Sequence, residues 1–223
     1  MPNHVQNRVE IIGTEEIVNE VLEFIKGEED AFDFNNVISR PDELDITSSS
    51  EGNDGMKYLV GVNERGIGYQ NSEHYKYMEK MKAENPERFE KCISLGKNYL
   101  NNIVNHGYIT WYEWSIDKWG TKWNAYEVEQ HENVVEFQTA WSAPHPVIEA
   151  LAERFPDVKF IHKWADEATA YNCGERGYED GKLFEYLPDE GSREAYDLAF
   201  ELRPYLKDDY ELVDGEYRYK DED

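Results

Sequence analysis

Thr110-Trp111-Tyr112-Glu113-Trp114-Ser115-Ile116-Asp117-Lys118-Trp119-Gly120-Thr121-Lys122-Trp123 sets four tryptophans within thirteen residues, and the fold is read outward from it. Thr110 followed three residues later by Glu113 is a capping box, so a short helix starts at Trp111 and stops at Gly120, which suits a left-handed cap. Thr121 to Glu129 and Val134 to Trp141 then alternate with period two around the polar Gln130-His131-Glu132-Asn133, which predicts a hairpin whose first strand runs over 122–129. Val135, Phe137, Thr139 and Trp141 share one face of the second strand. Trp141 is thereby expected to be buried at the sheet centre, where truncation to Ala costs ~3–5 kcal/mol.

Upstream, Val5 to Ile12 alternates as a strand with Val5, Asn7, Val9 and Ile11 on one face. Thr14 caps a helix over 15–26 whose stripe is Ile17, Val18, Val21, Leu22 and Ile25. Residues 28–58 read as irregular, with a mobile loop at Thr47 to Gly55, where the chemistry is that of turns throughout. Tyr58 to Val62 reads as a short strand and Gly61 to Gly68 as a turn, since its glycines lack phosphate-cradle spacing. Ser72 to about Asn105 is helical in two pieces divided near Asn85-Pro86.

Downstream, Pro144 and Pro146 open a helix over 145–154 with Val147, Ile148, Leu151 and Phe155 inward, and Val158 to Trp164 alternates as a strand. Ala168 to Glu175 and Lys182 to Tyr186 can add two more strands. Ser192 to Tyr205 is an amphipathic helix with Ala195, Leu198, Ala199 and Leu202 inward, and from Lys207 the chain reads as a loosely held acidic tail.

The order strand, helix, insertion, two hairpin strands, helix, strand gives an α+β class: a ferredoxin-like antiparallel sheet with helices on one face. It carries a large, mostly helical insertion after the first helix and a C-terminal helical extension. The division is residues 1–174 with the insertion at about 28–120, a hairpin and helix extension over 175–206, and an acidic tail over 207–223.

With 23 Lys and Arg against 48 Asp and Glu, the net charge is −25, far beyond the roughly 2–8 units usual for a small domain. Nucleic acid and anionic membranes are repelled, and the natural partner is a basic surface on another protein. Neither a signal-peptide pattern nor a membrane-length apolar run occurs, which places the chain in the cytosol. Cys92 and Cys173 stand apart, so reduced thiols are expected.

Met1-Pro2-Asn3 with Asn7-Arg8, Phe32-Asp33-Phe34, Trp119-Gly120-Thr121-Lys122-Trp123, Thr139-Ala140-Trp141-Ser142 with Pro144, and Phe155-Pro156 together resemble the YubB ferredoxin-like domain family. The resemblance covers about residues 1–174. It implies a phage- or plasmid-borne protein of a bacterial host and a role in counter-defence or host takeover, and it implies no established chemistry. The fold name carries no cluster, because four closely placed thiolates are lacking.

No catalytic constellation has workable spacing, and neither a metal nor a cofactor is expected. His162 and Asp166, with His131 and His145, are read as hydrogen-bonded structural groups. Two function classes stay open. In the first, a non-enzymatic protein binds a basic host-protein surface through acids including Glu179, Asp180, Asp189, Glu190, Asp208 and Asp209. In the second, a small-ligand module or enzyme has a pocket between sheet and insertion lined by Trp119, Lys122, Trp123 and Trp141. The sequence sets no oligomeric state.

Overall fold

The computed structural model describes residues 3–61 and 69–220. In chain order its elements are β1 (His4–Ile12), α1 (Glu15–Ile25), α2 (Ser50–Val60), α3 (Glu73–Glu84), α4 (Pro86–His106), α5 (Trp111–Lys118), β2 (Tyr126–His131), β3 (Val134–Ala140), α6 (His145–Arg154), β4 (Lys159–Asp166), β5 (Cys173–Glu179), β6 (Lys182–Tyr186), α7 (Arg193–Leu202), β7 (Tyr210–Val213) and β8 (Glu216–Tyr219). Short 3-10 turns occupy Phe34–Asn36, Asp42–Leu44, Tyr69–Asn71 and Pro204–Asp209. Two compact units divide the chain: residues 1–39 with 115–223, and residues 40–114.

The first unit is ferredoxin-like. Its antiparallel sheet has the order β2-β3-β1-β4-β5-β6, so the four-stranded core expected from the sequence is continued by β5 and β6 beyond β4. Val5, Asn7, Val9 and Ile11 are all buried, and the register sets Val5 opposite Thr139, Asn7 opposite Phe137 and Trp164, and Val9 opposite His162. This face is covered by α1 and α6, which meet through Phe24 and Phe155. Thr14 caps α1 by accepting from the Ile17 amide, as expected. Phe32, Phe34, Phe137 and Trp119 form the aromatic centre in edge-to-face contacts of 5.0–5.9 Å. Each fully buried ring contributes roughly 1.5–3 kcal/mol of transfer free energy.

The opposite face is covered at one end by α7, whose Ala195, Leu198, Ala199 and Leu202 pack on Ala165, Ala170 and Cys173. Arg203, buried at the end of α7, donates to the carbonyls of His4 and Asp166 and so ties the extension to β1 and β4. Residues 210–219, expected as a loose tail, form the β7–β8 hairpin instead. Asp214 and Gly215 both have positive φ, the geometry of a two-residue type I′ turn. Tyr210 and Tyr217 pack against Tyr196 and Phe200 of α7.

Three further expectations in this unit are corrected. Trp141 lies past the end of β3 with φ +77 and is 41% exposed, because the chain leaves the sheet at Ala140 and the left-handed residue turns the indole outward. The first hairpin strand begins at Tyr126, not 122, since residues 121–125 are held by side-chain bonds described below. The strand expected at 168–175 forms at Cys173–Glu179.

The second unit is helical. The loop expected at Thr47 to Gly55 is instead the start of α2: Ser49 caps it by accepting from the Gly52 amide, and the helix runs through the strand expected at Tyr58. Its glycines serve packing. A Cβ on Gly55 would lie 1.8 Å from the Cys92 carbonyl oxygen, and one on Gly96 would lie 2.4 Å from the Gly55 backbone, so α2 and α4 touch backbone to backbone. Met78, Met81, Phe89, Cys92 and Ile93 fill its core, with Tyr58 against them. The division between α3 and α4 falls at Asn85-Pro86 as expected, with Asn85 capping α4. Val62 and the turn expected at Gly61 to Gly68 lie outside the described residues apart from Gly61, the left-handed cap of α2.

Candidate functional site

The Trp119–Trp123 and Thr139–Ser142 segments are bonded to each other. Gly120 has φ +75 and lets the backbone turn after α5 against Pro146, which a Cβ would meet at 2.7 Å. The Ser142 hydroxyl donates to the Gly120 carbonyl, and the Thr121 hydroxyl donates to the Ala140 carbonyl at 2.8 Å. Asn124 completes the clamp. Its amide donates to Asp33 at 2.7 Å, and its oxygen accepts from the Phe34 and Ala125 amides, both at 2.9 Å.

Trp119 is consumed by this structure. It is 1% exposed, and its indole N–H donates to the Ile38 carbonyl at 2.9 Å. The other three candidates are brought together at the surface. The Lys122 ammonium sits 4.7 Å from the centre of the Trp123 ring and 4.8 Å from that of Trp141, both more than a third exposed. Each such cation–π contact is worth ~0.5–1 kcal/mol at an exposed site. Tyr126 continues the patch 6.2 Å from Trp123 and bonds the Thr139 carbonyl and His4. Burial, with Glu127 and Glu167 adding to it, pushes its hydroxyl up to about 12, so it stays a neutral donor.

Beneath the patch runs a buried polar chain. Asn7 donates to Val5 O and to the Thr139 hydroxyl, each at 2.9 Å, so its oxygen is left to accept from His162 Nε2 at 3.0 Å. The Thr139 hydroxyl in turn donates to the Ser142 carbonyl at 2.9 Å. His162 is therefore the Nε2–H tautomer and neutral. Burial, then the nearby His145 and Arg176, hold it well below the ordinary imidazole value. Burial lowers His145 to about 4. The two rings lie 5.5 Å apart and His145 is 4.4 Å from Trp164; the Nδ1 atoms of both histidines are buried without a hydrogen-bond partner among the described residues.

Asp166 accepts from Asn3, Asn172 and the Ala168 amide, which shapes the turn between β4 and β5. His131 is exposed on β2 and pairs with Glu129. Among the described residues no group of three His, Cys, Asp or Glu is placed to hold a metal ion. Cys92 and Cys173 are buried, and burial raises both thiols, which argues against a nucleophilic role. The six acids singled out in the sequence are all exposed, with Glu179 paired to Lys159 at 3.2 Å. The buried Asn7–His162 link escaped the sequence reading; its signal was a polar residue at an inward position of each of two strands.

No helix among the described residues is long and apolar enough to cross a membrane. Comparison with curated proteins gives no match. A crystal structure of a protein api92 from Yersinia pseudotuberculosis aligns with 84% of this chain and 99% of its own, at 13% identity and a TM-score of 0.42. Residues 118–206 match the family described as the ferredoxin-like domain in Api92-like protein, and this match runs on through the β5–β6 hairpin and α7, beyond the reach of the resemblance read from the sequence.

Proposed function

We propose that this is a non-catalytic binding protein whose ferredoxin-like unit engages a basic surface of a host protein. One observation carries the reading: the charge is segregated. Residues 40–114 hold 9 Lys and Arg against 12 Asp and Glu, a net of −3, so the remainder holds 14 against 36, a net of −22. Charge uniformly raised for solubility would not leave one unit near neutrality. Complementary charge accelerates encounter and sets register more than it adds affinity, so binding is strongly salt-dependent. Kinship with the YubB ferredoxin-like family, a bacterial cytoplasmic setting and a counter-defence or host-takeover role belong to this proposal, as does the absence of direct nucleic-acid binding.

Affinity capture from bacterial lysate with the full chain tests it. The expected outcome is a basic protein retained at about 50 mM salt, released at about 500 mM, and displaced by added DNA from a nucleic-acid-binding face. Capture that yields no protein, or that is indifferent to salt over a range in which the Debye length falls several-fold, defeats the reading. A second reading, a small-ligand module, is favoured by the exposed Trp123 and Trp141 around Lys122, with Trp141 held left-handed, a conformation that costs ~1–3 kcal/mol where a bulky residue adopts it.

A further inference from the structure

The sheet has two edges, and they differ. On β2 the register shifts between Tyr126 and Glu129, with Glu127 at φ +50, so that edge is blunted by a bulge and by acid. On β6 the register with β5 is unbroken over five pairs, and among the described residues no other strand pairs with it. Asp180 and Gly181 both have positive φ and make a two-residue type I′ turn, which fixes Glu179 and Lys182 as a hydrogen-bonded pair. Alternation then turns the backbone groups of Lys182, Phe184 and Tyr186 toward β5 and those of Leu183 and Glu185 outward.

The side chains at this edge also alternate. Phe184 and Tyr186 project to one face, 56% and 51% exposed. On the other face Leu183 and Tyr178 floor a cleft of about 270 Å³ beside α6, rimmed by Glu149, Glu153 and Asp180, while Glu179 and Lys182, which also border it, face each other on the side of Phe184 and Tyr186, with Glu179 held by Lys159 at 3.2 Å. We propose that the outer edge of β6 takes up an extended segment of the partner protein as an added strand, one that alternates basic and apolar residues. Its basic side chains lay their stems over Leu183 and reach the acidic rim, while its apolar side chains pack on Phe184 and Tyr186. A second copy of this chain does not fit: pairing β6 with itself would bring two acidic rims together. The inference rests on the basic-partner reading above and specifies where and how that partner binds.

The test uses the full chain and three labelled synthetic peptides of about eight residues: alternating Lys-Val, the same peptide N-methylated at every second residue, and alternating Lys-Gly. The chain is expected to bind Lys-Val at least tenfold more tightly than either of the others. Leu183→Pro, which removes an outward amide hydrogen without touching the β5 ladder, is expected to lose at least tenfold relative to Leu183→Ala, with melting curves confirming that both fold. Glu149→Gln with Glu153→Gln should lower affinity several-fold at low salt and leave the preference over the N-methylated peptide intact. Equal binding of all three peptides would overturn the edge site while leaving a charge-driven partner standing. A free chain that sediments as a dimer, and as a monomer once Leu183→Pro is introduced, would overturn it in favour of a second copy.

Discussion

Both the ferredoxin-like and the helical unit hold an aromatic cluster, in the helical unit Tyr58, Tyr69, Tyr75 and Phe89, but the backbone-to-backbone approach of Gly55 and Gly96 belongs to the helical unit. In the first, four aromatic residues from a loop, a strand and the end of α5 meet edge to face. In the second, Gly52, Gly55 and Gly96 admit Tyr99 and the opposing main chain into spaces where any Cβ would collide. The difference bears on charge. A deep aromatic core supplies enough burial to tolerate a net −22, while close helix contact, which leaves little room for adjustment, accompanies a surface near neutrality.

The largest test of this contrast is Trp119→Ala. It removes a buried indole and strands the Ile38 carbonyl, so a loss of about 3–5 kcal/mol is expected in urea unfolding, whereas Trp141→Ala should cost under about 1 kcal/mol. Equal losses would mean the two tryptophans are not divided between core and surface. Gly55→Ala comes next, at roughly 3 kcal/mol, because the new methyl meets backbone that cannot swing aside. Amide exchange should show the loss in α2 and α4, and a loss spread evenly over β1, β3 and β4 would show that the units share one packing problem.

The smallest expected effect is the share of His145 in acid sensitivity. Unfolded His145 and His162 take up protons near the ordinary imidazole value of about 6.5. Folded His145 does so only near 4, and His162 is held well below 6.5. The unfolded state thus binds more protons as pH falls through this window. Stability is complete above about 6.5 and declines by up to ~1.4 kcal/mol per pH unit per histidine on the way down. In the helical unit His74 and His106 instead lie beside the carboxylates of Asp54 and Glu43. Urea midpoints between pH 7 and 5 should fall more steeply for the intact chain than for His145→Asn; parallel curves would remove the imidazole pair as the cause.

Elements set by local chemistry were legible. α1, α4 and α7 announce themselves by Thr14, Asn85 and Ser192 at their starts, and the alternation of Val5 to Ile12 gives β1 with its inward face correct. What failed had a distant cause. The glycines of α2 look like turn residues because their reason, the approach of α4, lies about forty residues away. Trp141 continues the alternation of β3 on paper, and only the bond from its amide to the Asn3 carbonyl and its positive φ turn it out. Asp214-Gly215 is a hairpin signal submerged in acidic composition, and the identical pair at Asp180-Gly181 is missed as well, because the strand before it is expected at 168–175 and not at Cys173–Glu179. Of the candidate site, the closeness of Lys122 and Trp123 was given by adjacency, whereas the arrival of Trp141 on the other side of the ammonium needed the fold.

The place of β1 has a consequence for biosynthesis. It lies between β3 and β4, so the first strand to leave the ribosome waits for partners encoded more than a hundred residues later. During that wait the helical segment, whose contacts are local, can already close. Val5, Val9 and Ile11 stay uncovered meanwhile, a sticky nascent edge of the kind that aggregates. The glutamates at 10, 15, 16, 20 and 23 are made with it and set like charge within and just after that strand, the kind of flanking charge that opposes aggregation.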